Sequence, residues 1–443
     1  MAKIPRRVCA SIDLNNGHRP EKCRCLSGEI RILQTGTCLR LFGGIPIRKR
    51  ISMMENKVTD REICPYYKKC GSCHYQGISY EKELADKQKR LQKLLGVYGK
   101  VNPILGMEVP LHYRNKVHAV LGYQKGKVLS GTYSAGSHHL VPVEHCQLDD
   151  PAADEIILTI RELVRSFKIR VYDEDSGYGL LRHILIRTAG ATGQIMVILV
   201  AVSPVFPSKN NFVKALLKKH PEITTVVLNV NSDRTSMVLG DRNIVLYGKG
   251  YITDQLLGCS FRLSAAAFYQ VNAFQTEKLY AQAIRMAGLT GRETVIDAYS
   301  GIGTIGLIAA RRAGQVISIE SNPVSVKDGI QNAKLNDIKN VRFYRNDATR
   351  FMQQMVAAHE KADVVIMDPP RAGSTPEFIR AAAALGPSRI VYVSCNPETL
   401  ARDLALFKKQ GFKVREIQPV DMFSGTAHVE TCALLTKASV SEA

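Results

Sequence analysis

"TVIDAYSGIGTIGLIAA", residues 294–310, reads as a buried strand, a glycine-rich turn and the start of a helix. Gly301, Gly303 and Gly306 let the backbone approach a ligand closely, as at the carboxyl end of a parallel strand in nucleotide-binding folds. Such a turn does not choose between ligands. Around it, apolar runs at 293–298, 315–320, 341–346, 362–368, 388–395, 412–419 and 428–437 alternate with helical patterns at 303–313, 323–336, 375–385 and 397–410. The alternation predicts an α/β fold with a doubly wound, Rossmann-like sheet over 263–443.

The ends of these strands carry polar residues. Glu320 closes "VISIE" about twenty residues beyond the glycine turn, where a carboxylate can accept both ribose hydroxyls. Asn346-Asp347 ends the third strand and suits an adenine amino group. NAD and S-adenosylmethionine both fit to this point. The fourth strand ends at Asp368 in "IMDPPRAG". An acidic residue before the stiff, donor-free Pro-Pro pair is how many nucleic-acid methyltransferases line the space between methyl donor and base. Arg371 follows the prolines, and it cannot sandwich a base amine as Tyr or Phe would.

"VYVSCNPETL" (391–400) ends the fifth strand at Cys395, beside the Asp368 strand end. A cysteine is most often a buried small residue. Here the crevice suggests a thiolate that attacks carbon-6 of a uracil, which makes carbon-5 nucleophilic toward a sulfonium methyl. A base must then remove the carbon-5 proton, and Glu430 in "MFSGTAHVETCALL" (422–435) is the carboxylate available at the last strand.

The remaining sequence is strongly basic. Sixty Lys and Arg against forty Asp and Glu give +20, and residues 1–100 alone carry 21 basic against 9 acidic side chains. Such an excess favours a polyanionic partner. The longest apolar run, "IMVILVAV" (195–202), is far short of the roughly 20 residues that span a bilayer. No secretory segment follows the basic N-terminus, so a cytoplasmic protein without a membrane partner is expected. Residues 96–262 alternate strand-like runs, among them "KVHAVLGYQ", "HILIRTAG", "QIMVILVAV", "TTVVLNVN", "SMVLGD" and "NIVLYG", with turns and with helices near 151–166 and 208–219. They predict a mainly antiparallel β-rich domain. "SYEKELADKQKRLQKLL" (79–95) reads as a solvent-facing helix.

Eleven cysteines in such a chain point to metal ligation or catalysis over disulfides. "CPYYKKCGSC" places Cys64, Cys70 and Cys73 in a C-x5-C-x2-C pattern, with Cys146 the best fourth thiolate; spacing leaves iron–sulfur and zinc even. Residues 1–60 show no confident element. Cys9, Cys23, Cys25 and Cys38 match no clear zinc site, and translation starting at Met53 or Met54, or a basic arm, are the other readings.

Together the cysteine pattern, "HYRNKVHAV" (112–120), "GLLRHILIR" (179–187), "FYQVN" (268–272), "DAYSGIGTIGL", "DPPRAG", "VSCNP" and "HVET" resemble the RNA uracil-C5 methyltransferase family over residues 61–437. These are the 23S rRNA and tRNA enzymes that carry a [4Fe-4S] cluster. The resemblance implies a class I, S-adenosylmethionine-dependent methyltransferase domain at 263–443, a central RNA-binding domain at 96–262 and a cluster loop and helix at 61–95. It implies a cluster on Cys64, Cys70, Cys73 and Cys146, and cofactor contacts from Gln270, Tyr299, Glu320, Asp347 and Asp368. It implies Cys395 as nucleophile and Glu430 as base on a flipped uridine. Arg114 and Lys116 would hold the RNA backbone, 23S rRNA being expected ahead of tRNA, and the chain would act as a monomer.

Three departures stand out. Residues 1–60 do not read as the TRAM-type barrel of many relatives, "SAAAFYQVN" lacks the usual Pro, and "MFSGTAHVE" has Ser-Gly where Pro-His is common. Cytosine-C5 methylation is disfavoured because no cysteine stands beside the Pro-Pro motif. A non-catalytic iron–sulfur RNA-binding protein is disfavoured by the intact Cys395 and Glu430.

Overall fold

The computed structural model describes residues 62–234 and 237–438, with two short strands nearer the N-terminus. Residues 1–46 and 47–443 form two separate units. In the first, β1 (Arg24–Cys25) pairs antiparallel with β2 (Gly28–Glu29). Cys9, Cys23, Cys38, Met53 and Met54 lie outside the described residues, as do the expectations placed on them.

In the second unit β3 (Lys100–Val101) precedes a seven-stranded sheet made of β4 (Lys116–Gln124), β5 (Lys127–Tyr133), β6 (Leu140–Pro142), β7 (Leu181–Thr188), β8 (Ile195–Ala201), β9 (Ile223–Val230) and β10 (Arg242–Tyr247). Its order is β10-β9-β8-β7-β4-β5-β6, antiparallel throughout except for β8 beside β9. One face packs on the helices Pro151–Ser166 and Lys209–Lys219. Asp150 caps the first of these, accepting from the Ala152 N–H, and Pro151 opens it. "SMVLGD" departs from expectation: its described residues, 237–241, form no strand. The Asn231 side-chain amide donates to the Met237 and Val238 carbonyls, and that of Asn229 to Gly240, so side chains take the bonds a ladder would have used.

A hairpin of β11 (Tyr251–Leu256) and β12 (Cys259–Ser264) leads into the second sheet. Its strands are β13 (Thr294–Ala298), β14 (Gln315–Glu320), β15 (Val341–Arg345), β16 (Val364–Met367), β17 (Arg389–Ser394), β18 (Phe412–Val420) and β19 (Glu430–Lys437), in the order β15-β14-β13-β16-β17-β19-β18-β3. β15 through β17 are parallel; β19 runs antiparallel between β17 and β18. Alternate residues of each central strand go to opposite cores. Val295, Ile366 and Val393 join one, while Ile296, Val365 and Tyr392 join the other. Burial on both faces is why these strands read as unbroken apolar runs. The α/β, doubly wound expectation holds.

Two helices fall outside the expected alternation, Ala273–Ala287 and Ala348–Ala357. The helix Tyr80–Leu95 is also less solvent-facing than its charges suggest. Tyr80, Glu83, Lys87, Leu91 and Leu95 form a buried stripe at helical spacing, two of them charged.

Candidate active site

The glycine turn is shaped by its neighbours. Gly301 and Gly303 have φ of 56° and 81°, and Tyr299 also sits in the left-handed region at 63°, an uncommon backbone for a residue with a side chain. A Cβ on Gly306 would lie 2.3 Å from an Asp297 carboxylate oxygen and 2.7 Å from the Ser318 hydroxyl, so only glycine fits there. The Glu320 carboxylate bridges two strand ends by accepting from the Gly301 N–H at 2.9 Å and the Asn322 N–H at 2.7 Å. The Tyr299 hydroxyl lies 3.3 Å from that of Ser374, and its ring packs on Phe378. Asp347 caps the helix Ala348–Ala357 through the Arg350 N–H, and its charge reaches the Tyr299 phenol.

The next strand ends bring three further residues together. Asp368 directly follows β16, and burial alone pushes its carboxyl up to about 7. Cys395 directly follows β17. Its neighbours Asn396 and Pro397 start a helix, Pro397–Lys409, in which Asn396 accepts from the Glu398 N–H. "CNP" therefore encodes a strand end, a cap and a first helical turn. Glu430 opens β19, whose Thr431 pairs with Ser394. Because β19 is antiparallel, the start of that strand meets the end of β17, which is how a carboxylate from "HVET" comes to face Cys395.

The charges at these strand ends act on one another. Burial first, then Asp368, pushes the Glu430 carboxyl up to about 8, with the Arg371 guanidinium opposing. Burial, then Glu430 and Asp368, pushes the Cys395 thiol up to about 11, again with Arg371 opposing. Arg371 is anchored by its carbonyl, which accepts from the Asn396 amide at 3.1 Å and the Thr399 hydroxyl at 3.2 Å. Gln270 reaches the site through Tyr280, a buried phenol raised by burial and by Asp368 and hydrogen-bonded to Gln270 and Thr304.

Sequence reasoning missed Asp297, Tyr280 and the electrostatic part played by Arg371. Asp297 is buried, its carboxyl pushed up to about 7 by that burial against the Ser318 hydroxyl and Gly306 N–H. A lone acid inside the apolar run "VIDA" was the available signal. Tyr280 lies on a helix absent from the expected alternation.

Cys64, Cys70, Cys73 and Cys146 all line one cavity of about 660 Å³, together with Arg114, Lys116, Arg371 and His428. All four are reduced and half-buried. Burial raises the Cys73 thiol and pushes that of Cys146 up to about 12. Among the described residues, no three His, Cys, Asp or Glu side chains are gathered so as to hold a metal ion. Nor is any helix long and apolar enough to cross a membrane.

Residues 79–438 match the family described as tRNA (uracil-5-)-methyltransferase. The chain belongs to that family. Relatives named as uncharacterized RNA methyltransferases agree: one from Caldanaerobacter subterraneus is 44% identical over 85% of this chain and 84% of its own. Another, from Halalkalibacterium halodurans, is 41% identical over 84% and 82%. Among solved structures, the Pyrococcus abyssi tRNA (uracil-54, C5)-methyltransferase in complex with S-adenosyl-L-homocysteine superposes with a TM-score of 0.70 at 26% identity, covering 82% of this chain and 85% of that one.

Proposed function

We propose that the chain methylates carbon-5 of a uridine in structured RNA, with Cys395 as nucleophile and Glu430 as base. The observation that carries the reading is the Cys395–Glu430–Asp368 gathering beside Arg371. Cys395, as thiolate, forms a bond to carbon-6, and the displaced electron pair makes carbon-5 an enolate-type nucleophile. S-Adenosylmethionine supplies the methyl cation equivalent and leaves as S-adenosylhomocysteine. Glu430 then takes the carbon-5 proton, the double bond re-forms, and the carbon–sulfur bond breaks to return the thiolate. Gln270, Tyr299, Glu320, Asp347 and Asp368 are the proposed contacts to the methyl donor. The left-handed turn at Tyr299–Gly303 would let backbone reach the donor's polar tail.

Arg371 opposes the upward shift of both reacting groups, and a charged Arg371 thus favours the thiolate and carboxylate that the chemistry needs. Methylation by a Cys395→Ala variant at near wild-type rate would end this reading.

A [4Fe-4S] cluster on Cys64, Cys70, Cys73 and Cys146 is our reading of the cavity. Four thiols without an imidazole suit iron–sulfur or zinc. When bound, the cluster would cross-link the 64–73 loop to the segment at Cys146.

For the RNA we propose 23S rRNA first. The second reading, tRNA, draws on the substrate of the P. abyssi tRNA (uracil-54, C5)-methyltransferase. Mapping 5-methyluridine in both RNAs from a deletion strain decides between them. Loss from 23S rRNA supports the first, and loss from tRNA alone overturns it.

A further inference from the structure

The helix Tyr80–Leu95 buries a charged triad. Lys87 Nζ lies 2.6 Å from a Glu83 oxygen and 2.7 Å from an Asp421 oxygen, all three side chains being fully shielded from solvent. The Tyr80 hydroxyl donates to the other Asp421 oxygen at 2.7 Å and accepts from the Met107 N–H. A buried triad of this kind is a poor device for stability, because desolvation offsets most of the attraction. Holding a specific arrangement is the better-attested use.

What it holds is the segment Asp421–Val429, which runs from the end of β18 to Glu430. The Gly425 N–H donates to Glu83 at 2.8 Å, and the Gly425 carbonyl accepts from the His74 and Tyr75 N–H groups. Gly425 has φ of 82°, a conformation that presents both of its backbone groups inward and that glycine adopts without strain. This is the Ser-Gly departure noted in the sequence. The same segment is gripped from elsewhere: Tyr113 donates to the Ser424 carbonyl, Asn272 to Met422 and Gln275 to Asp421. Helix 80–95, the residues just after Cys73 and the "FYQVN" cap thus converge on the five residues Asp421–Gly425.

We propose that Glu83, Lys87 and Tyr80 are positioning residues for Glu430, fixing the approach segment so that its carboxylate faces carbon-5 of the bound uracil. The proposal rests on Glu430 being the base. None of the three touches the reacting atoms. They act through Asp421 and Gly425, so their loss should slow proton removal more than cofactor or RNA binding or thiolate attack.

The test compares the paired variant Glu83→Gln/Lys87→Met, the milder Tyr80→Phe and the control Glu430→Gln, all as full chains on uridine RNA and 5-fluorouridine RNA. With 5-fluorouridine no proton can leave carbon-5, so a denaturation-resistant protein–RNA adduct reports the earlier steps alone. The paired variant is expected to lose kcat about tenfold or more, and Tyr80→Phe about threefold, with KM within about twofold. Both should accumulate adduct on uridine RNA and keep wild-type adduct formation on 5-fluorouridine RNA. If the paired variant does not fold, Tyr80→Phe decides alone, since it leaves the ion pairs in place. Unchanged kcat, a rise in KM only, or slowed adduct formation on 5-fluorouridine RNA overturns the positioning role. If Glu430→Gln itself turns over normally without adduct, the assignment of the base fails instead.

Discussion

Two groups of cysteine thiols occupy this molecule, and they are held in different ways. Cys395 stands at the end of a parallel strand with hydrogen-bonded neighbours on both sides, and two carboxyls and a guanidinium face it from the adjoining strand ends and turn. Cys64, Cys73 and Cys146 stand on loops, and Cys70 ends the short helix Tyr67–Cys70, all four around a cavity. Burial raises thiols in both places, so burial does not separate a nucleophile from a ligand. The company does: two carboxyls and a guanidinium stand around Cys395, whereas the other four thiols stand around one shared space. A rigid frame suits the first task, and loops that a bound group can cross-link suit the second.

Removing Cys395 is the most direct way to break that contrast. Cys395→Ala is expected to lose at least about 10³-fold in methylation rate in a single-turnover assay, with the protein still folded and binding S-adenosylmethionine. Glu430→Gln should lose about 10²-fold or more in turnover while covalent adduct builds up on a denaturing gel. Cys73→Ser sharpens the other side. Anaerobically purified wild-type protein should be coloured and contain iron, and the variant should lose the iron and several degrees of Tm while Cys395 still forms adduct. Colourless wild-type protein holding only zinc ends the cluster assignment.

A smaller effect separates the two regions by pH. The Glu430 carboxyl is raised from 4.5 to about 8 in the fold, so the native state prefers it protonated. The stability this provides is whole below about pH 4.5 and is lost as pH rises through about 8. The unfolding free-energy advantage of Glu430→Gln over wild type, measured in denaturant melts, should therefore be slight at pH 5 and widen toward pH 9, by a few kcal/mol at most. Gly425→Ala, at φ of 82°, should cost only about 1 kcal/mol in a denaturant melt.

Much of the fold was legible because the two-faced burial of β16 and β17 leaves runs such as "VVIM" with no polar break. The helices Ala273–Ala287 and Ala348–Ala357 were not, although their spaced apolar residues were in view; charged and polar residues between them mask the period. Within the site, Glu320, Asp368, Cys395 and Glu430 were legible as polar residues at the ends of apolar runs. Asp297, Tyr280 and the weight of Arg371 were not, since their importance comes from neighbours on other strands and turns, such as Ser318, Asp368 and Glu430.

The sequence by itself determined the strand–helix alternation, the glycine turn, the thiol after β17 and the family, because each is written in local spacing and residue type. Only the tertiary structure decided that Glu430 faces Cys395, since that depends on β19 running antiparallel beside β17. It alone decided that Lys87, in a helix that reads as solvent-facing, is buried against Asp421, more than three hundred residues away. A chain shows which residues carry charge. Where the charge sits, and what it holds in place, follows from contacts that local patterns do not encode.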